Sequence, residues 1–199
     1  MEKQPLTLET ATELLHQNMQ NKNLRKHCYA VGKVLSEFYD FFDNKGIDVG
    51  GLTKQQWEII GLLHDADWEK TTTNPDQHVV EMLSWLEKYD APEELVNALK
   101  THNYKMAKVR EPQSVLEWTL ECCDELTGFI VAIALVMPSK KLADVSVESI
   151  LKKFKQKEFA RAVDREQILQ CEEKLGIKPE EFIQVSLSAM QKSSDILGL

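Results

Sequence analysis

The residues best suited to chemistry in this sequence are histidines and aspartates that fall within apolar segments. His64 and Asp65 stand side by side after the apolar run GLL, and His27, His102 and Asp124 fall within other apolar stretches. Imidazole and carboxylate groups together suit Mn, Fe, Zn, Co or Ni, and Mg is also possible. A lone histidine in such a place is usually a hydrogen-bonded core residue, but a buried aspartate needs a cation or a partner. The set as a whole therefore predicts a metal site.

The elements that must position these side chains are predicted to be helices, so the predicted class is all-α. Apolar residues recur every three or four positions from Lys22 to about Phe42, which is typical of an amphipathic helix that carries His27. Helix starts are predicted at the sequences Thr10–Glu13, Asp90–Glu93 and Ser114–Glu117, which resemble capping boxes, and at Thr53. His78 is expected to open a fourth helix, and further helices are expected at about 147–157, 164–175 and 179–197.

Four of these residues lie on four separate predicted helices: His27, His64, His102 and Asp124. This distribution favours a shared site. Helices of one bundle turn their inner faces towards the same place, where side chains from facing helices can hold a metal. Adjacent residues on a helix project about 100° apart. We therefore expect His64 and Asp65 either to converge on one ion in a groove between helices or to let one of them bridge two ions.

Composition limits the classes of protein that fit. The chain has 43% hydrophobic and 28% charged residues, which is ordinary for one globular domain spanning residues 1–199. Its net charge of −8 argues against general nucleic-acid binding. No apolar stretch reaches the roughly 18 residues of a membrane span, and no signal peptide is recognisable. Because the four cysteines show no CxxC spacing, we expect buried thiols and a cytoplasmic protein.

The order His27, His64–Asp65, Asp124 on the helices of an all-α chain resembles the HD superfamily of metal-dependent phosphohydrolases. The resemblance covers residues 20–137, and residues 138–199 are expected to form a C-terminal helical extension packed on this core. The segments HDADWE, THNY, DELTG and PSKKLADV resemble a subgroup of small bacterial proteins predicted to be HD hydrolases. The resemblance implies that these four residues bind a divalent cation and that metal-bound water attacks phosphorus.

His78 and His102 decide between one ion and two. Some HD proteins carry additional histidines between the HD pair and the last aspartate, and these bind a second ion. In that arrangement Asp65 would bridge the two ions. The alternatives are an exposed residue at a helix start for His78, and a phosphate-contacting or ligand-orienting residue for His102.

The catalytic and phosphate-binding assignments are less direct. Several HD enzymes have Lys or Glu three residues after the HD aspartate, where this chain has Trp68. We therefore expect Asp67 or Glu69 either to orient a metal-bound water or to hold the tautomer of a ligand histidine, although either could be an exposed carboxylate. Candidates for phosphate contact, each of which could equally be a solvated surface residue, are Lys105, Lys140, Lys141, Arg161 and Arg165; the two arginines are four residues apart and would share a helix face.

The leading hypothesis is a metal-dependent phosphohydrolase acting on a phosphomonoester or phosphodiester, a nucleotide-like small molecule. A di-iron oxygenase built on the same ligands is an alternative. A non-catalytic binding module with a structural metal is another, and it would leave no coordination position for water. The oligomeric state is not predicted.

Replacement of Asp124 by Ala should abolish binding of at least one ion, because a carboxylate inside this apolar helix needs a cation to offset its burial and is therefore expected to be a ligand. Elemental analysis of the purified variant measures the metal stoichiometry. A stoichiometry equal to that of the wild-type protein would contradict the assignment of Asp124 as a ligand.

Overall fold

The computed structural model describes residues 3–199, and 68% of the chain is helical, which confirms the predicted all-α class. Two short strands, β1 (Gln4–Pro5) and β2 (Tyr89–Asp90), pair in parallel. The helices are α1 (Leu8–Asn18), α2 (Lys22–Asn44), α3 (Lys54–Leu63), α4 (Trp68–Thr71), α5 (Val80–Leu86), α6 (Glu93–His102), α7 (Tyr104–Ala107), α8 (Val115–Val136), α9 (Val147–Phe154), α10 (Arg165–Leu175), α11 (Pro179–Lys192) and α12 (Ser194–Leu197). Single 3₁₀ turns lie at Pro75–Gln77 and Leu142–Asp144.

Helix capping by side chains explains where half of these helices begin. Capping boxes start α3 at Thr53 and α8 at Ser114, and both starts were predicted. The predicted capping box at Thr10–Glu13 is wrong, because α1 begins earlier. The hydroxyl of Thr7 accepts a hydrogen bond from the backbone N–H of Thr10, and the Thr10 hydroxyl accepts one from the N–H of Thr7.

Two predicted helix starts between residues 78 and 93 also differ from the structure. Asp90 does not cap α6, because its backbone is drawn into the pairing of β2 with β1, and Pro92 stands at the N-cap instead. His78 does not open α5. It follows the 3₁₀ turn, and α5 begins at Val80. His78 therefore lies in a connection, although it is 95% buried.

The close contact between α2 and α3 brings His27 towards the residues that follow α3. A Cβ atom added to Gly61 would lie 2.6 Å from the Cα of Gly32, and one added to Gly32 would lie 2.9 Å from the carbonyl oxygen of Glu58. Real Cβ atoms do not approach backbone so closely, so only glycine permits this helix spacing. Around the crossing, large side chains such as Trp57 and Phe38 are fully buried.

The long helix α8 joins the two parts of the chain. It packs against α2 and α6 on one side and against α9, α10 and α11 of the C-terminal part. Phe38 of α2 stacks on Phe182 of α11 with ring centroids 4.5 Å apart. The buried apolar side chains of residues 138–199 belong to the same continuous core as those of α2, α3 and α8.

The sequence predicts buried thiols and no membrane span, and the structure bears on both expectations. All four cysteines, Cys28, Cys122, Cys123 and Cys171, are buried free thiols, as predicted. Within residues 3–199, none of the helices combines the length and the apolar character that crossing a bilayer requires.

Replacing Gly61 by Ala should lower the free energy of unfolding by about 1–3 kcal/mol, because the new methyl group would push α2 and α3 apart. Gly128→Ala in α8 is the matched control. A Cβ added at Gly128 meets no atom within 4 Å, so the alanine should raise the free energy of unfolding by about 1 kcal/mol through helix propensity. Urea denaturation measures both variants. Equal stability of Gly61→Ala and wild type would contradict the close-packing argument.

Candidate metal centre

Six side chains form two adjoining groups of possible metal ligands. In each group the ligand atoms lie within 4.8 Å of one another. The first group, called the first cluster below, is His27, His64, Asp65 and Asp124; the second cluster is Asp65, His78 and His102. These are the six residues that the sequence analysis singled out for one or two ions.

The first cluster is assembled from three elements. His27 comes from α2, His64 and Asp65 from the turn directly after α3, and Asp124 from the middle of α8. The Nε2 atom of His27 lies 2.8 Å from Oδ1 of Asp124 and 3.3 Å from Nε2 of His64. The Nε2 atom of His64 is 3.4 Å from the same aspartate oxygen. Two ring nitrogens and two carboxylates therefore point at one small volume.

The two oxygens of Asp65 face different clusters. Its Oδ2 atom lies 3.6 Å from Nε2 of both His27 and His64. Its Oδ1 atom lies 3.1 Å from Nε2 of His78 and 3.5 Å from Nε2 of His102. A carboxylate placed in this way can bridge two cations.

All four histidines present Nε2 to the centre, and each uses Nδ1 for a contact on the outer side. Nδ1 of His64 lies 2.7 Å from the carbonyl oxygen of Gly61, and Nδ1 of His102 lies 3.1 Å from Oε1 of Glu121. The corresponding contacts are His78 with Asp67 at 2.7 Å and His27 with the hydroxyl of Thr127 at 3.3 Å. Such outer contacts fix the ring orientation and tautomer that metal-binding histidines need.

The end of α3 explains why His64 and Asp65 can serve both clusters. The last regular helical residue is Leu63, and the N–H of His64 still donates to the carbonyl of Ile60. The chain then passes through a turn before α4 begins at Trp68. The sequence analysis placed this pair inside one helix. The structure places it at the C-terminal end, where the side chains are less constrained by helical spacing.

Charge and burial oppose each other at the centre. Burial raises the pKa of Asp124, but hydrogen bonds with His27 and His64 outweigh it and hold that pKa well below the usual range. Burial lowers the pKa of His102, but contacts with Asp65 and Glu121 outweigh it and raise that pKa well above the usual value. The carboxylates therefore attract protons onto the histidines. A divalent cation must displace those protons, so its binding should release protons.

The donor set fits a divalent transition metal. Nitrogen and carboxylate oxygen donors suit Mn, Fe, Zn, Co and Ni, and no thiolate is required. Cys28 and Cys123 neighbour the ligands in sequence, but burial raises the pKa of both thiols well above the usual value, with Asp65 and Asp124 adding to the shift at Cys28. Neutral thiols are poor ligands, so the cysteines contribute packing.

Asp67 does not line the cavity beside the clusters but contacts a ligand histidine, which agrees with the expectation that it holds the tautomer of that histidine. Its side chain is fully buried and accepts three hydrogen bonds, from Nδ1 of His78 at 2.7 Å and from the backbone N–H groups of Val79 at 3.1 Å and Met82 at 2.9 Å. Val79 has φ of 73°, a strained conformation for a β-branched residue. Asp67 thus holds the strained turn that presents His78.

Glu69 likewise has another partner. Its Oε2 atom accepts hydrogen bonds from the backbone N–H groups of Gln20, at 2.6 Å, and Asn21, at 3.0 Å, which precede α2. The carboxylate therefore ties α4 to the start of α2. Both carboxylates already accept hydrogen bonds from within the protein, and the expectation that one of them orients a metal-bound water stays a prediction.

Among the phosphate candidates, Lys105 alone lies beside the clusters. It lines a cavity of about 270 Å³ together with Asp65, His78, His102 and Asp124, and we call this the polar cavity. Its ammonium group donates to Gln167 and lies 3.7 Å from Asp164.

The other four candidates do not line the polar cavity. Lys140 and Lys141 are exposed in the connection after α8. Arg161 is exposed and precedes α10, so it does not share a helix face with Arg165 as expected. The guanidinium of Arg165 donates to backbone carbonyls, including those of Phe154 and Gln156, and stacks on Phe129 at 5.0 Å. It supports the local fold rather than phosphate binding.

Two residues that the sequence analysis missed complete the centre. Glu121 is 2% exposed and orients His102, and Asn103 donates hydrogen bonds to the carbonyl oxygens of Pro75 and His78, both at 2.9 Å. Glu121 precedes Asp124 by three residues on α8, so helical spacing indicated a shared face. The role of Asn103 carried no such signal, because its partners are backbone atoms 25 and 28 residues away.

Asp67→Asn should weaken binding of one ion by about 10- to 100-fold and leave the other unchanged. The amide oxygen can still accept from His78, but the amide NH₂ would face the N–H of Met82 and leave a buried donor without an acceptor. Calorimetric titration of the protein with Mn(II) measures the two affinities separately. Glu69→Gln is the control and should leave both affinities unchanged; two unaltered affinities in Asp67→Asn would rule out the positioning role.

Comparison with known proteins gave no match: no family model, no curated protein and no solved structure matches the chain. The contacts within this chain describe a group of buried histidines and aspartates that could hold a metal ion.

Proposed function

We propose that the chain is a metal-dependent phosphohydrolase of the HD superfamily that acts in the cytoplasm on a small, nucleotide-like phosphomonoester or phosphodiester. The observation that carries the proposal is the position of Asp65, whose two oxygens face different histidine groups. Six residues could thereby hold two cations that share one carboxylate. The order of these residues along the chain supports the assignment to the superfamily.

When bound, such cations lower the pKa of a coordinated water and neutralise charge that develops on a phosphoryl group. Residues around the two clusters orient the side chains that would hold these cations. Asp67, Glu121, Thr127 and the carbonyl of Gly61 orient the four imidazoles from outside. Because these partners are already in place, no reorganisation is needed when the ligands engage a cation.

The polar cavity supplies room for the phosphate. It has about 270 Å³ and is bordered by residues of both clusters, with Trp68 and Met106 also in its wall. Lys105 adds a positive charge at this cavity, and its present partners, Gln167 and Asp164, compete with a phosphate oxygen for the ammonium group. A cavity beside both clusters favours a catalytic centre over a metal enclosed entirely by protein ligands.

A di-iron oxygenase is the second candidate, and the same bridging position of Asp65 favours it. Metal content and activity together separate the two functions. A pair of iron ions with no phosphatase activity on a broad panel of phosphoesters would favour the oxygenase. A metal that resists exchange, with neither activity, would favour a structural role.

His78→Ala and His102→Ala should each reduce the bound metal from two ions to about one while the fold survives. The phosphatase kcat should then fall by about 10- to 100-fold or more, with a smaller effect on KM, because the lost ion acts mainly in the transition state. Elemental analysis of Mn-loaded protein and steady-state kinetics on a panel of phosphoesters measure these effects.

Lys141→Ala, on an exposed loop, is the control and should behave like the wild type. A single ion in Mn- or Fe-saturated wild-type protein would refute the two-ion centre. Full metal content and activity in both histidine variants would refute it equally.

A further inference from the structure

A second cavity, of about 420 Å³, adjoins the metal centre on the side of His27. Its wall is largely apolar and includes Ala30 of α2, Val131 and Leu135 of α8, and Leu197 of α12. We call it the apolar cavity. His27 lines it, and Nε2 of His27 lies 2.8 Å from Asp124, which borders the polar cavity. The two cavities are therefore each bordered by one member of the same pair of contacting ligands, His27 and Asp124.

Gly128 suggests that this space is kept open. It lies in the interior of α8, where glycine costs about 1 kcal/mol relative to alanine. Gly32 and Gly61 are required by close backbone contact, but a Cβ added to Gly128 would meet no atom within 4 Å. Packing within the protein therefore gives no reason for glycine here. Gly128 lines the apolar cavity one helical turn after Asp124, so a larger side chain would enter the space beside the ligands.

Lys26 places a positive charge in the wall of this cavity. It is only partly exposed, and Leu199, the last residue of the chain, also lines the wall. A cation in a largely apolar cavity favours an occupant that is apolar over most of its surface and carries one anionic or acceptor group.

We propose that the apolar cavity binds the organic group of the phosphoester, an apolar or aromatic group that presents an anionic or acceptor substituent to Lys26. The phosphate then lies in the polar cavity at the metal ligands. This assignment rests on the proposed phosphohydrolase function and specifies its substrate class. Gly128 is a specificity-determining position, because its missing side chain makes room for the organic group.

The test compares binding of three phosphonates to Mn-loaded protein by calorimetry: methylphosphonate, benzylphosphonate and 4-carboxybenzylphosphonate. Benzylphosphonate should bind at least about tenfold more tightly than methylphosphonate, because its ring is removed from water. The added carboxylate of 4-carboxybenzylphosphonate should raise the affinity by a further factor of about two to five. Lys26→Met should remove only this last gain.

Gly128→Leu should abolish the preference for benzylphosphonate and leave binding of methylphosphonate and the metal content unchanged. Ala162→Leu, which adds the same side chain at an exposed position, is the matched control and should keep the preference. Gly128→Ala should reduce the preference for benzylphosphonate only partly. This variant replaces Gly128→Leu in the test if the leucine variant does not fold.

The binding results distinguish failure of this inference from failure of the proposed function. Binding of methylphosphonate without any preference for the aromatic compound overturns the apolar cavity as a subsite and leaves the phosphohydrolase proposal standing. A preference that survives in Gly128→Leu, or an equal loss for both compounds, also overturns it. Failure of all three phosphonates to bind the Mn-loaded wild type overturns both proposals.

Discussion

One carboxylate, that of Asp65, faces two groups of histidines, and the positions of five segments of the chain follow from this arrangement. Asp65 can face both groups only if α2, the end of α3 and α8 meet on one side of it and the turn before α5 and the end of α6 meet on the other. The close approach of α2 and α3 at Gly32 and Gly61 is part of the same requirement, because a wider spacing would carry His27 away from His64.

Such a centre opposes the stability of the fold in several ways. Buried carboxylates and imidazoles lose hydration, and the positive φ of Val79 costs about 1–3 kcal/mol. These costs are offset locally, because each imidazole has an outer hydrogen-bond partner and Asp67 satisfies three donors at the strained turn. The continuous apolar core, which includes side chains from both parts of the chain, provides the remaining stability. Strain and buried charge gathered at one place are typical of a functional site.

The two cavities differ in a way that suits a molecule with two unlike ends. The polar cavity is bordered by ligands of both clusters and by Lys105, whereas the apolar cavity is walled mainly by aliphatic side chains and opened by Gly128. A phosphoester has this division of character between its charged phosphate and its organic group. His27 lines the apolar cavity and contacts Asp124, which lines the polar cavity, so the proposed reacting bond would lie close to these two ligands.

The all-α class, the main helices and the six possible ligands could be predicted from the amino-acid sequence, because apolar periodicity, capping residues and the types of metal-binding side chains are local properties. Thr53, Ser114 and the apolar positions of α2 are examples. Tertiary structure alone decided how those ligands are used. It divided the oxygens of Asp65 between two clusters and placed Arg165 against backbone carbonyls. It paired Asp67 with His78 and Glu69 with the backbone that precedes α2. It also drew Asp90 into β2 and left His78 outside α5. These outcomes depend on contacts between residues far apart in the chain. Local sequence patterns do not predict which distant group a side chain will contact.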